Sequence, residues 1–547
     1  MMRIYLFFLL FIPLFALSQE GRTQLDIWPE FKKVPYLNER VNDHDFSITL
    51  KDMPNTRVLL GYYSSGSTYK RDSGITDAKG RISFKGEEMW DGGIYIVAVN
   101  GASIFEFMYS GTERGFSIST TGKEKTMENM KVKSSPENQL FLDYQRTRIQ
   151  YGRELDRLGK LYKGIKKRGN KDSMELIEVQ AEEVQTELQD YQIGITEKYP
   201  KSMTSLLINL VREPEVPNPP AAVDAKGEAI DTAFWQYLWY KKHYWDFVDL
   251  SDDRIVRTPM FKDKAMKFIG QGLTVQMPDT ICETAQKFID ETRASNKFVY
   301  RNVLTWYTSK YEKSNIMGMN AVVCCLAQKY YMADPECDWL SKKKQQDFVE
   351  HALNECNVVI GKKAHELVMK DIEGIPRSLH AVPAKYTVVY FYSANCGHCK
   401  KVTPKVHKLY KEYKDKGLAV YAVNVDYKEV KDDDGNTIDL VEARDYREYV
   451  LKNKLEWINV ADPLHRTKFR NHYNVYSTPV TYLLDEDKIF IGVRLDSVTL
   501  RRMLMHEIDG MSHEDIDVWL KENGYTENED DDTEDEEEEE TAPTPEP

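Results

Sequence analysis

Between Phe46 and Thr121 short runs rich in β-branched and aromatic residues alternate with turn signals. Ser47-Ile48-Thr49-Leu50, Arg57 to Tyr63, Arg81 to Lys85, Ile94 to Val99 and Ile104 to Met108 are separated by Asp77-Ala78-Lys79-Gly80, Asp91-Gly92-Gly93 and Asn100-Gly101. Strand-length runs bounded by Gly and Asp turns predict an N-terminal antiparallel β-sandwich, assigned to residues 26–125. The period changes at Ser135-Pro136-Glu137, where Ser135 suits a helix N-cap and Pro136 the first helical position. Leu140, Tyr144, Tyr151, Leu155, Leu158, Tyr162 and Ile165 then recur at helical spacings. Gly169-Asn170 interrupts them, and Asp172 with Glu175 reads as the capping box of a returning helix that ends near Tyr199-Pro200. A helical hairpin over 135–200 follows. Pro214, Pro217, Pro219 and Pro220 mark a linker, and helical periodicity then runs to about Asn357, giving an all-α middle region over 201–357. Its aromatic segment, from Phe234 and Trp235 to Trp245 and Phe247, reads as core filling in preference to a binding groove.

From Lys385 the pattern becomes α/β. Tyr386 to Tyr392 is a β-branched and aromatic run that predicts a buried strand, and it leads into Cys396-Gly397-His398-Cys399. Val402, Val406, Leu409 and Tyr413 continue at helical spacing, which places Cys396 at a helix N-terminus and Cys399 in its first turn. The free amides of that terminus, with His398 inside the motif, favour thiolate over thiol. Cys396 is therefore the candidate nucleophile, Gly397 and His398 tune it, and Cys399 is the candidate resolving thiol.

Composition adds limits. The chain has 547 residues, 41% hydrophobic and 30% charged, enough for several folded units. Its net charge of -14 is concentrated at one end: residues 527–547 hold thirteen Asp or Glu and no Lys or Arg, so the body is almost neutral. That body offers no basic stripe for nucleic acid. The acidic stretch has nothing to bury and is expected to be a disordered tail. At the other end, Arg3 precedes an apolar run from Ile4 to Leu17, too short for a membrane span, and Ala16-Leu17-Ser18 suits signal-peptide cleavage. Residues 1–18 therefore predict export to the periplasm or cell envelope, with no integral span after cleavage. The first cysteine is Cys282, so no thiol stands near that site for a lipid.

Neither metal nor cofactor is expected. No second Cys-x-x-Cys or paired-His motif completes a zinc site, and haem attachment needs His where Lys400 stands. Cys282, Cys324, Cys325, Cys337 and Cys356 are an odd set, compatible with one or two disulfides or with buried thiols.

Residues from about 358 to 510 resemble the thioredoxin-fold domain of TlpA/ResA-like thiol-disulfide oxidoreductases, with a protein disulfide isomerase-type motif. Cys396-Gly397-His398-Cys399-Lys400-Lys401-Val402-Thr403-Pro404 carries the motif, Ile360 to Leu379 resembles the opening hairpin, Ser477-Thr478-Pro479-Val480 resembles the cis-proline loop, and Tyr427 to Trp457 resembles the family's extra insertion. The resemblance implies a C-terminal α/β thioredoxin fold over 358–526, extended by helix, behind envelope accessory domains. It implies that Thr478 and Pro479 present backbone to an extended substrate strand. Two departures stand out: Tyr390 replaces the family's buried acid and Val402 its later glutamate, so resolution by Cys399 lacks an obvious proton acceptor.

The function expected is exchange of disulfides with protein substrates, with a redox partner to reset the pair. The alternative is an envelope binding or scaffold protein whose motif traps clients, its accessory regions available to shape a homodimer. Direction of electron flow is set by the partner that resets the pair and by the poise of the compartment.

Overall fold

The computed structural model of the chain describes residues 43–525 apart from 89, 112, 221–228, 315, 333–336, 338, 432–436 and 443. The expected signal peptide and acidic tail lie outside the described residues. A β-sheet N-terminal region, a helical middle and a C-terminal α/β region follow one another.

Strands β1 (His44–Leu50), β2 (Arg57–Ser64), β3 (Ser67–Ile75), β4 (Arg81–Gly86), β5 (Gly93–Val99), β6 (Ala102–Tyr109), β7 (Phe116–Thr120) and β8 (Lys131–Lys133) form two four-stranded sheets. Their orders are β4-β1-β7-β8 and β3-β2-β5-β6, and the short helix α1 (Thr126–Asn129) precedes β8. The sheets are not wholly antiparallel as expected: β1 and β7 run parallel, with Phe46 opposite Phe116. Alternation in Phe46, Ile48 and Leu50 and in Phe116 and Ile118 fixes which face is buried, but a period of two carries no strand direction. Those faces close on an aromatic core in which Phe46 stacks on Phe116 at 4.9 Å and meets Trp90 edge-on.

Helix α2 (Pro136–Lys166) starts where Ser135 Oγ accepts the Asn138 N–H at 3.1 Å. Helix α3 (Lys171–Lys198) is capped by Asn170, which accepts from Ser173, two residues before the expected box. Gly169 at φ 71 turns the chain there, and the Asn side chain that follows is the first able to take the free amides. The middle region continues with α4 (Met203–Val211), α5 (Thr232–Lys242), α6 (Met260–Phe268), α7 (Pro278–Ser295), α8 (Lys297–Glu312), α9 (Asn320–Leu326) and α10 (Lys342–Asn357). Ile94 and Met108, on the face of β5 and β6 away from the sandwich core, pack into the same apolar cluster as Phe261, Phe288 and Tyr307. Trp245 of the aromatic segment stacks on Phe288 at 4.2 Å, while Phe234 is exposed. Cys282–Cys325 joins α7 to α9 and Cys324–Cys356 joins α9 to α10; Cys337 is a buried thiol directed at the Tyr330 carbonyl.

The C-terminal region has a seven-stranded sheet ordered β10-β9-β15-β12-β11-β16-β17. Its members are β9 (Val368–Asp371), β10 (Pro376–Ser378), β11 (Tyr386–Tyr392), β12 (Leu418–Asn424), β15 (Ile458–Ala461), β16 (Val480–Leu484) and β17 (Phe490–Gly492). Helix α11 (Gly397–Tyr413) follows β11; β13 (Tyr427–Lys431) and β14 (Thr437–Glu442) pair as a separate hairpin ahead of α12 (Arg444–Lys452). Helices α13 (Phe469–His472), α14 (Ser497–Glu507) and α15 (His513–Glu522) complete it. Because side chains alternate along a strand, β11 sends Val388, Tyr390 and Tyr392 to the core under α11 and Val389 and Phe391 to the opposite core.

Where sandwich and helices meet, the buried Glu137 carboxylate accepts from the Thr204 N–H at 3.2 Å, and nearby Glu113 accepts from the Glu137 N–H. Burial, with the charge of Glu113 adding to it, pushes the Glu137 carboxyl up to about 7. An acid whose folded pKa is raised ionises first in the unfolded chain, so stability falls as pH rises from the ordinary carboxyl range through 7. Glu137→Gln keeps the acceptor and removes the charge. It should match the parent near pH 4.5 and exceed it at pH 8 by about 3 kcal/mol, measured by urea unfolding at both pH values.

Candidate active site

The register of the C-terminal sheet brings two loops together. β11 and β16 are antiparallel neighbours with Phe391 opposite Val480, so the chain leaving β11 through Ser393 to Cys396 lies beside the chain entering β16 through Ser477 to Pro479. The Thr478–Pro479 peptide bond is cis. Cys396 Sγ is 3.4 Å from the Thr478 carbonyl oxygen, to which the thiol donates.

Cys396 is the N-cap of α11, and its sulfur accepts the Cys399 N–H at 3.2 Å. A helix leaves its first N–H groups without carbonyl partners, and here the side chain that takes one is a thiol. Partial burial of Cys396 raises its pKa, but hydrogen bonds from the Cys399 thiol and N–H, with further contributions at Thr478 and from the His398 N–H, outweigh it and hold the pKa below the ordinary thiol value. His398 thus reaches the sulfur through its backbone. Gly397 is exposed, and a Cβ added there would meet nothing within 4 Å, so the approach to the sulfur is open.

Cys399, hydrogen-bonded to Cys396 through its thiol, sits in a different environment. It is fully buried among Tyr390, Val402, Val406 and Trp457, and burial pushes its thiol up to about 12. Pro404 sits inside α11 and withholds the N–H that Lys400 would otherwise receive. Tyr390 stands at the position where the resemblance implies a buried acid. Its hydroxyl shares a 2.9 Å hydrogen bond with Thr403 Oγ1, and burial holds its ionisation well above the ordinary phenol range. The ground beneath Cys399 is therefore polar and uncharged at neutral pH.

Asp426 is the side chain that sequence reasoning missed. Its carboxylate accepts from Ser393 Oγ at 2.6 Å, from the Ala394 N–H at 2.7 Å and from Asn424 Nδ2 at 3.0 Å, and Ser393 Oγ in turn accepts the Asn395 N–H. Asp426 follows β12, which pairs in parallel with β11, so both strands end at one edge. That parallel pairing was the available signal, because loops at the carboxyl ends of adjacent parallel strands share a crevice. A cleft of about 330 Å³ opens there, with Asp426, Arg470, Tyr476 and Thr478 in its walls.

Residues 360–491 match the model of the AhpC/TSA family. The thioredoxin-like protein YneN of Bacillus subtilis is 29% identical over 153 residues, 28% of this chain and 81% of YneN. Thiol-disulfide oxidoreductase ResA of Bacillus anthracis is 32% identical over 131 residues, 23% of this chain and 65% of ResA, just under two thirds of its length. Residues 360–491 form a thioredoxin-like AhpC/TSA domain. Among solved structures, a domain of a possible thiol-disulfide isomerase from Cytophaga hutchinsonii is 33% identical, covering 28% of this chain and 95% of that one, with a TM-score of 0.24. A thioredoxin-like protein from Bacteroides caccae is 19% identical, covering 54% of this chain and 97% of that one, with a TM-score of 0.41.

Asp426→Ala should release the loop that carries Cys396, because three donors lose a charged acceptor. Loss of such bonds costs about 1–3 kcal/mol. The variant should show that loss in denaturant unfolding, together with slower alkylation of Cys396 by iodoacetamide at pH 7. Unchanged stability and unchanged alkylation would remove Asp426 from the site.

Proposed function

We propose that the chain is an exported thiol-disulfide oxidoreductase that exchanges disulfides with protein substrates through Cys396 and Cys399. The observation that carries this reading is the asymmetry of the pair: one accessible sulfur with a lowered pKa on a helix N-cap, one buried sulfur raised to about 12 in the turn behind it. Export rests on the leader-like residues 1–18. Homologues named thiol-disulfide oxidoreductases support the chemistry.

In the reductive direction the Cys396 thiolate attacks one sulfur of a substrate disulfide. A bond forms between Cys396 Sγ and that sulfur as the substrate bond breaks, and the departing thiolate takes a proton from water. Cys399 then loses its proton and attacks Cys396 Sγ, closing the Cys396–Cys399 disulfide and releasing the second substrate thiol. Two electrons pass from the pair to the substrate, and an external dithiol returns them. The reverse sequence oxidises a substrate dithiol. Thr478, whose carbonyl faces the attacking sulfur, and Pro479 position the substrate strand.

The buried, uncharged setting of Cys399 favours a second reading, in which the mixed disulfide is long-lived and the protein holds clients instead of turning them over. Insulin reduction and refolding of scrambled ribonuclease separate the two. An oxidoreductase shows catalytic turnover in at least one, and a holder shows neither. In either case Cys399→Ser should accumulate mixed disulfides on non-reducing gels, Cys396→Ser should form none, and loss of turnover should exceed 100-fold in both variants if the pair is the catalyst.

A further inference from the structure

The helical middle region reaches the proposed substrate loop through one aromatic side chain. Tyr476 lies two residues before Thr478 and forms part of the cleft wall beside Cys396, and 62% of it is exposed. An aromatic residue so open on its own would sample several rotamers. Tyr476 is instead held at its tip: its hydroxyl meets Asn354 Nδ2, and its ring lies 6.4 Å from that of His351. Asn354 and His351 both belong to α10, more than 120 residues earlier in the chain.

Helix α10 is itself fixed at this end. Cys356 is bonded to Cys324 on α9, and Glu355 is buried and pairs with Arg494 of the C-terminal region at 2.7 Å. Asn357 Nδ2 donates to the Asn471 carbonyl. His351 lies near Glu312 of α8 and Glu355, at 3.8 and 3.9 Å. The last two turns of α10 therefore hold Tyr476, in the loop leading to Thr478, from outside the thioredoxin-like domain. The same cleft is lined by Arg470, which donates to the Val425 and Val475 carbonyls, and by Asp426.

We propose that Tyr476 is a substrate-binding residue preset by α10, so that the helical region takes part in selecting protein substrates. The inference rests on the oxidoreductase reading and deepens it. The occupant is an extended polypeptide segment flanking the reacting cysteine: its main chain runs along Thr478 and an apolar or aromatic side chain packs on the exposed Tyr476 ring. Small disulfides reach Cys396 without touching that ring. The Asn354 contact orders the tyrosine before the substrate arrives and removes part of the ordering cost of binding.

The test compares insulin with bis(2-hydroxyethyl) disulfide as oxidants of the reduced full chain, each in steady state with an external dithiol. Tyr476→Ala should raise KM for insulin about fivefold, the worth of one aromatic contact, with kcat within twofold and the small disulfide unaffected. Tyr476→Phe keeps the ring and loses the tether, and it should raise KM about twofold. Asn354→Ala should do the same, and the double variant should be no worse than either single one, because both remove one contact. Circular dichroism establishes that each variant is folded; Tyr476→Phe keeps the comparison intact should Asn354→Ala not fold. Equal losses on both disulfides, or an unchanged insulin KM in Tyr476→Ala, would overturn the role of Tyr476 and leave the oxidoreductase reading standing. A parent protein inert toward both disulfides would overturn that reading itself.

Discussion

The first turn of α11 has backbone N–H groups that no carbonyl of its own helix can receive, and the sulfur of Cys396 occupies the place where an Asp or Ser oxygen commonly serves. Everything proposed for this chain depends on that substitution of sulfur for oxygen. A capping oxygen ends a helix; a capping sulfur also gains a hydrogen-bonded thiolate form. Burial of the sulfur works against ionisation, and the hydrogen bonds at the cap win. The same turn buries Cys399, where desolvation outweighs the hydrogen bonds at Ser393 and Thr478 and, with the neighbouring Cys396 sulfur, keeps the proton on. Two cysteines three residues apart acquire opposite chemistry from their surroundings.

The sheet supplies the remaining geometry. β11 is covered on both faces, so its end is rigid, and the antiparallel β16 brings Thr478 against it in fixed register. Asp426, at the end of the parallel neighbour β12, then ties down Ser393 and Ala394, the residues between strand and cap. The sulfur is thereby positioned by three strands and one helix. The disulfides of the helical region, by contrast, join helices to one another, and Cys324–Cys356 secures the helix that meets the loop before Thr478.

Much of this was legible in the chain. The run Tyr386 to Tyr392 has the continuous apolar character of a central strand, and Cys-Gly-His-Cys at its end fixes where the helix begins. The helical hairpin was readable from the spacing of Leu140 to Ile165 and from Ser135-Pro136. Strand direction was not readable: Phe46 and Phe116 share a core through a parallel pair that alternation alone cannot distinguish from an antiparallel one. β3 was missed because it is a polar edge strand with little buried surface. Asp426 and Tyr476 carry no local motif. Each acquires its place from a partner distant in sequence, Ser393 for one and Asn354 for the other, and pairings of that kind exist only once the chain has folded.

Ionisation of the sulfur is open to direct observation. With cysteine labelled at Cβ with carbon-13 and the protein reduced, the Cys396 and Cys399 resonances can be followed by NMR from pH 5 to the alkaline limit of the folded state. Cys396 should titrate below the ordinary thiol range while Cys399 stays protonated far past it, toward about 12. A Cys396 resonance still in its thiol form at pH 9, or two cysteines that titrate together, would show that the helix cap does not favour the thiolate.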